Sequence, residues 1–222
     1  MLFRSAGVGG KSSVAALLRS LDEKTRIKWI RLLYAYPLGI NEELLRTIRD
    51  LPSVCNYLDV PLQHASERIL RDMKRPLGRF SARGVVDLIK KTTPEIAVRT
   101  TFIVGFPGET EQDVLELEKF VRESSFSSVG VFTYSKEQGT PSFDLPGHIS
   151  EKEKNARREQ IMLAQQDAQA ERLKQYLGQQ IEVLVDGLHE ETELLFTARS
   201  RFQAPEVDGM VIVNDADRKS VV

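Results

Sequence analysis

The sequence predicts an α/β fold in which parallel βα units give way to a small all-β module. Three observations carry that expectation. Between residues 27 and 134, short aliphatic and aromatic runs alternate with amphipathic stretches, the pattern of βαβ units. At Ser150 a long, highly charged helical stretch begins. Beyond Gly178 the pattern changes to short strands separated by turn pairs.

The elements follow in order. Residues 28–35 form a first strand that stops at Pro37-Leu-Gly39. Asn41 caps the next helix, and Glu42 and Glu43 in its first turn suit the positive end of its dipole; Pro52 lies at its far end. Residues 57–61 make a second strand, and a helix over 67–74 is closed by Pro76-Leu-Gly78. Ser81 caps a helix running toward Lys91, which Pro94 ends. Residues 96–104 are the third strand, Thr110 caps a helix with Glu111 and Asp113 in its first turn, and 128–134 supply the fourth strand. Such units build part of a closed barrel or part of an open sheet, and periodicity does not choose between them.

Ser150-Glu-Lys-Glu153 is a capping box. The helix it opens runs to about Tyr176, roughly 40 Å at 1.5 Å per residue. Ile161, Ala168, Leu173 and Leu177 form a narrow apolar stripe, and the remaining charge reads as a solvated helix bridging two domains. Residues 181–185 form a strand ending at the turn pair Asp186-Gly187; 194–200 and 210–213 are further strands, with Asp208-Gly209 as another turn. The expected division is 1–149, 150–177 and 178–222.

Composition narrows the possibilities. With 41% hydrophobic and 28% charged residues the chain has the make-up of a soluble globular protein. No apolar run reaches the ~18–20 residues of a membrane span, and the start lacks the apolar core of a secretion signal, so the cytoplasm is expected. The single cysteine, Cys55, excludes an internal disulfide framework and any metal centre needing three thiolates from this chain; it reads as a small, partly buried thiol. Between residues 178 and 217 nine acids face only Arg199 and Arg201, a net of −7. Nucleic-acid phosphates require the opposite sign, so this module suits a basic protein partner.

The segment Arg99-Thr-Thr-Phe-Ile-Val-Gly-Phe-Pro-Gly-Glu109 is the most informative. It reads as a buried strand ending in a tight corner, where βα folds place ligands. Val98, Thr100, Phe102 and Val104 share one face; Arg99, Thr101 and Ile103 share the other. A parallel strand covered on both sides is nearly all apolar, so Arg99 and Thr101 mark a face turned to a polar lumen. Asp59, Pro61 and Gln63 share one parity at the end of the second strand, and Ser66 can cap the helix after it. His64 alone reads first as a hydrogen-bonded structural histidine. Gathered at neighbouring strand ends, these polar groups suit a small polar cofactor. Ala6-Gly-Val-Gly-Gly-Lys-Ser12 looks like a phosphate loop but has Ser5 where glycine is needed, and reads as a flexible entry into a helix over 13–21. His148 and His189 fall in loop or turn regions without partner histidines, which argues against metal ligation.

Four blocks resemble the radical-SAM methylthiotransferases: Trp29-Ile-Arg-Leu-Leu-Tyr-Ala-Tyr-Pro37, Tyr57-Leu-Asp-Val-Pro-Leu-Gln-His-Ala-Ser66, residues 99–110, and Val131-Phe-Thr-Tyr-Ser-Lys-Glu-Gln-Gly-Thr-Pro141. Tyr36-Pro37, Pro61-Leu-Gln-His-Ala-Ser66 and Ala204-Pro-Glu-Val-Asp-Gly209 are similar to the branch that modifies an aspartate of ribosomal protein S-twelve. The resemblance implies a partial (βα) barrel of the radical-SAM type, here lacking its first strands, followed by an OB-like TRAM module. It implies S-adenosylmethionine and two 4Fe-4S clusters in the complete enzyme, with insertion of a methylthio group at the target β-carbon. It assigns cofactor binding to Gln63, His64, Ser66, Arg99, Thr101, Ile103, Gly105, Glu109, Phe132 and Tyr134, and the acidic module to the basic ribosomal protein. No residue here is assigned as a catalyst or metal ligand. The family's Cys-x-x-x-Cys-x-x-Cys is absent, so both ends read as edges of a longer protein that does not turn over in this form. Two alternatives stand beside this reading: the transfer-RNA branch, which implies a basic closing module, and a non-catalytic adaptor for a ribosomal protein.

Overall fold

The structure is a computed structural model that describes residues 13–75, 78 and 80–214. The Ala6–Ser12 segment, the Pro76-Leu77 helix stop and the residues from Asp215 onward lie outside the described residues. Four parallel strands, β1 (Ile30–Leu32), β2 (Val54–Asp59), β3 (Ala97–Val104) and β4 (Ser128–Thr133), pair in chain order. An open doubly wound sheet reverses its strand order at a switch point. Sequential order instead makes this a section of (βα) barrel wall, the choice that periodicity left open.

Helices α1 (Val14–Lys24), α2 (Glu42–Asp50), α3 (Glu67–Asp72), α4 (Ala82–Thr92) and α5 (Glu111–Ser124) precede and connect the strands. The expected caps are in place: the side chains of Asn41, Ser66, Ser81 and Thr110 each accept a backbone N–H of the turn they open, and Ser13, expected inside the first helix, caps it in the same way. At Thr110 the bond is reciprocated by Asp113, a full capping box. One continuous core lies on the helix side of the sheet, where Phe102 meets Phe120 and Phe126 edge to face at 6.2 and 6.0 Å. The second strand differs from its expected bounds: it runs over Val54–Asp59 because Val54 and Cys55 are buried against β1 and the C-terminal module.

The long helix α6 (Glu151–Leu173) overturns two expectations. It packs along α5 and β4 instead of crossing solvent. Its inward stripe is Lys154, Arg157, Ile161, Ala164 and Gln165, whereas Leu173 is 54% and Leu177 78% exposed. The buried face is thus largely polar: of the expected apolar stripe Ile161 is buried and Ala168 half-buried, while its last two members are not. Ser150 caps the helix as expected, but the Glu153 carboxylate turns to Arg157.

After a 3₁₀ turn at Lys174–Tyr176, strands β5 (Val183–His189), β6 (Thr192–Ser200) and β7 (Val211–Val213) form an antiparallel sheet in chain order. Asp186-Gly187 is no turn: the register slips there as a bulge within β5, Gly187 having φ +155, and the hairpin turns at Glu190-Glu191. His189 accordingly ends a strand, with its Nδ1 accepting the Glu191 N–H. Among the described residues no helix is long and apolar enough to cross a membrane.

Candidate functional site

The corner after β3 is fixed from behind. Gly105 has φ +78, a left-handed conformation that costs a side-chain-bearing residue energy. A Cβ there would stand 2.4 Å from Lys154 Cγ, so the stem of α6's Lys154 occupies the space glycine leaves. Lys154 is held by its own ammonium, which donates to Tyr134 O at 2.8 Å and pairs with Glu151 at 2.7 Å.

Glu109 closes the loop. Its Oε2 accepts the Gly105 N–H at 2.8 Å and its Oε1 accepts Arg157 Nη1 at 2.9 Å. His64 Nε2 stands 3.6 Å from the same carboxylate, too far for a hydrogen bond but close enough for electrostatic attraction. Burial pushes the Glu109 carboxyl up; His64, the Gly105 N–H and Arg157 outweigh it and hold the group below its ordinary range. His64 Nδ1 accepts the Ser66 N–H at 2.9 Å, and Ser66 Oγ donates to Asp113 Oδ1 at 2.7 Å. Asp113 also accepts Thr110 N–H and Oγ1 and pairs with Arg68. Burial raises its carboxyl, yet the bonds from Thr110, Ser66 and Arg68 prevail and lower it to about 2.

The lumen face carries the second group of expected residues. Thr101 pairs in register with Gly130, and Ile103 with Phe132. A Cβ on Gly130 would meet the Phe132 ring at 3.6 Å, Thr101 Oγ1 at 3.8 Å and Arg99 Nη2 at 4.0 Å. The missing side chain therefore leaves a methyl-sized hollow bordered by those three at ordinary contact distances. Gln63 is drawn to its rim: its N–H donates to Thr101 O and its carbonyl accepts Ile103 N–H, with the residue itself left-handed at φ +72. Such a backbone costs roughly 1–2 kcal/mol in a non-glycine residue and persists only where surroundings enforce it.

The structure thus sorts the expected residues into two sets. Gln63, Arg99, Thr101, Ile103 and Phe132 gather at the lumen face, Phe132 being 59% exposed. His64, Ser66, Gly105 and Glu109 form the buried corner behind it. Tyr134 parts from Phe132: it is 9% exposed, edge to face with Phe106 and stacked on His148. Sequence reasoning missed Lys154, Arg157, Asp113 and Gly130. The first two were legible as an i, i+3 polar pair on α6 once polar residues are admitted to a buried stripe. A cleft of about 1180 Å³ lies elsewhere, between the far end of α6, Pro94–Ile96 and the start of the β module.

Cys55 is fully buried within β2 and packed with Tyr57, Ala97 and Ala204. As the only cysteine it cannot ligate an iron-sulfur cluster with this chain's residues alone, so the residues present do not fit that group. The face around Gly130 presents a hydroxyl, a guanidinium and an aromatic ring side by side, groups of the kind that contact polar and aromatic ligands.

Sequential parallel strands with polar side chains gathered at their ends form a section of (βα) barrel wall, an architecture shared by many enzymes, and the family comparison narrows it. The chain belongs to the radical SAM superfamily, whose model matches residues 9–121, and a TRAM domain model matches residues 177–221. It is 43% identical over 204 residues to the ribosomal protein uS12 methylthiotransferase RimO of Citrifermentans bemidjiense, covering 92% of this chain and 46% of that protein. It is 45% identical over 205 residues to the protein of the same name from Aquifex aeolicus, covering 92% of this chain and 48% of that one. The chain therefore spans under half the length of these curated relatives. Among solved structures it shares its fold with coproporphyrinogen III oxidase (HemN) of Escherichia coli, a radical SAM enzyme, at TM-score 0.50 and 17% identity over 73% of this chain and 36% of that one.

Proposed function

We propose that this chain supplies the cofactor-facing barrel wall and the closing β module of a methylthiotransferase acting on an aspartate of ribosomal protein uS12. The observation that carries the reading is the Gly130 hollow seated beside the locked Gly105 corner. The names of relatives more than 40% identical over most of the chain give the reaction class. S-adenosylmethionine, when bound, supplies the radical chemistry that an unactivated C–H bond demands. The chain's own residues bind and orient it: Phe132 and Ile103 offer an apolar face to an adenine, while Thr101 and Gln63 offer hydrogen bonds at its edges. Glu109, His64 and Ser66 act from behind by holding the corner. The two 4Fe-4S clusters expected of the complete enzyme need ligands outside this sequence. The division at 149/150 and 177/178 remains our assignment of a barrel part, a connecting helix and a TRAM-like part, in a cytoplasmic protein.

The acidic module is the surface proposed for the basic ribosomal protein. Three of its acids are already paired, Asp186 with Arg199 and Glu182 with Arg201 inside the module and Asp208 with Arg99 of the barrel wall. Glu190 and Glu191 at the hairpin tip and Glu206 point their charge outward. Calorimetric titration of the chain with S-adenosylmethionine tests the cofactor face. Gly130→Val fills the hollow and is expected to abolish binding while the fold persists; undiminished binding refutes the site. Binding to purified uS12 and to transfer RNA at increasing salt tests the partner, and stronger, salt-sensitive binding to the RNA overturns it.

A further inference from the structure

The C-terminal module packs against residues on the lumen side of β2 and β3, and one of its carboxylates faces Arg99 of the candidate cofactor face. Arg201 donates to the carbonyls of Pro52 and Val54 and lies over the Trp29 ring at 5.8 Å. Arg31, over the Tyr57 ring, donates back to Ser200 O and Arg201 O at 3.3 Å. Phe202 and Ala204 pack on Cys55, Tyr57 and Ala97. These contacts seat the segment after β6 against the lumen side of β2 and β3.

At the top of that seat stands Asp208, whose side chain is 5% exposed. Its Oδ2 accepts the Ala204 N–H at 2.8 Å, which fixes the carboxylate within its own turn. Its Oδ1 faces Arg99 Nε at 3.5 Å, and Asp59 takes Arg99 Nη1 at 3.2 Å. Arg99 thus donates one hydrogen bond, from Nη1 to Asp59, and faces a second carboxylate, from the other module, as an ion pair without a hydrogen bond. Its third nitrogen, Nη2, is the one that stands 4.0 Å from the vacant Cβ position of Gly130, beside Thr101 Oγ1. A guanidinium is planar, so the Asp59 bond at Nη1 together with the Asp208 charge opposite Nε sets the direction in which Nη2 donates. The Tyr57 hydroxyl, pushed up first by burial and then by Asp208 beside it, stays protonated and adds no charge to this pairing.

We infer that Asp208 of the β module is a positioning residue for the candidate cofactor face, aiming Arg99 Nη2 into the Gly130 hollow as a donor for a ligand carboxylate. The inference rests on the cofactor reading above and adds that the module shapes ligand affinity through Arg99. The ligand class is an α-amino acid conjugate whose carboxylate reaches the hollow.

The test compares S-adenosylmethionine with its decarboxylated analogue on the 222-residue chain. Asp208→Asn keeps an oxygen for the Ala204 N–H and removes the charge opposite Arg99. It is expected to weaken S-adenosylmethionine about tenfold, the scale of one charge-assisted hydrogen bond, and to leave the decarboxylated analogue unchanged. Arg201→Ala loosens the seat without touching Arg99 and is expected to preserve the discrimination between the two ligands. In the ligand-free protein, the Arg99 Nε–H resonance is expected to shift in Asp208→Asn, because the charge facing it is removed. Equal weakening of both ligands, or an Nε–H signal indifferent to Asp208→Asn, overturns the positioning role while the cofactor reading stands. Failure of the unmutated chain to bind either ligand sinks the cofactor reading and the ligand assignment together.

Discussion

Replacing Gly105 by alanine is the sharpest probe of how the corner is built. Two costs are separable. The left-handed backbone at φ +78 penalises any Cβ by roughly 1–2 kcal/mol. The new methyl would also stand 2.4 Å from Lys154 Cγ and 3.1 Å from its Cδ, an overpacking that costs typically about 1–3 kcal/mol. Lys154 cannot swing away cheaply, because its ammonium is bonded to Tyr134 O and Glu151. The expected total is about 3 kcal/mol, read as a fall of about 1 M in the urea midpoint for a slope of roughly 2–3 kcal/mol/M. Lys154→Ala alone forfeits a charge-assisted bond, about 2 kcal/mol. The double variant removes Cγ and Cδ, so the steric part vanishes and the backbone part remains. Lys154 Cβ, 3.2 Å from the new methyl, stays tight but tolerable. The double variant should therefore be less destabilised than the sum of the singles by about 1–2 kcal/mol. Additivity within ~0.5 kcal/mol would refute the claim that α6 packs into the space the glycine leaves.

Three further outcomes follow from the same geometry. Arg157→Ala leaves Glu109 buried without its cation and should cost about 3–5 kcal/mol in urea melts, whereas Glu109→Gln with Arg157 intact should cost less if His64 tolerates the amide; equal, small effects would contradict a buried pair. Asp113 falls from 3.8 to about 2 on folding, so its contribution is complete above pH 4 and is lost as pH drops toward 2. At 8% side-chain exposure that contribution is on the order of 2 kcal/mol, and Asp113→Asn should flatten the stability profile between pH 4 and 2. Burial pushes the Cys55 thiol up despite the nearby Arg31 and Arg201, so a thiol reagent at pH 8 should label it only after the module lifts or the chain unfolds; prompt labelling of native protein would show that Phe202 and Ala204 do not cover it.

Much of the wall was legible because its signals are local. A serine, threonine or asparagine ahead of a helical stretch marks a helix start wherever it sits, and the caps Asn41, Ser66, Ser81 and Thr110 bear this out, three of them with an acidic first turn. Alternation along residues 98–104 reports which side faces helices and which does not, and the observed burial alternates the same way. The departures share one cause. Asp186-Gly187 carries turn residues, but pairing across β5 and β6 absorbs them as a bulge. On α6 a lysine, an arginine and a glutamine join Ile161 and Ala164 on the buried face, and they enter the interior because Tyr134 O, Glu109 and Phe126 O wait for them there.

By itself, then, the order of residues determined the βα units, their caps, the polar face of β3 and the acidic sign of the last module. It determined too that no cluster of three thiolates can form within this chain. Only the tertiary structure decided that the strands run in barrel order, that α6 locks the Gly105 corner, and that Asp208 reaches Arg99. Those three are pairings between segments far apart in the chain, where a side chain's role depends on what meets it, and no local pattern encodes the partner.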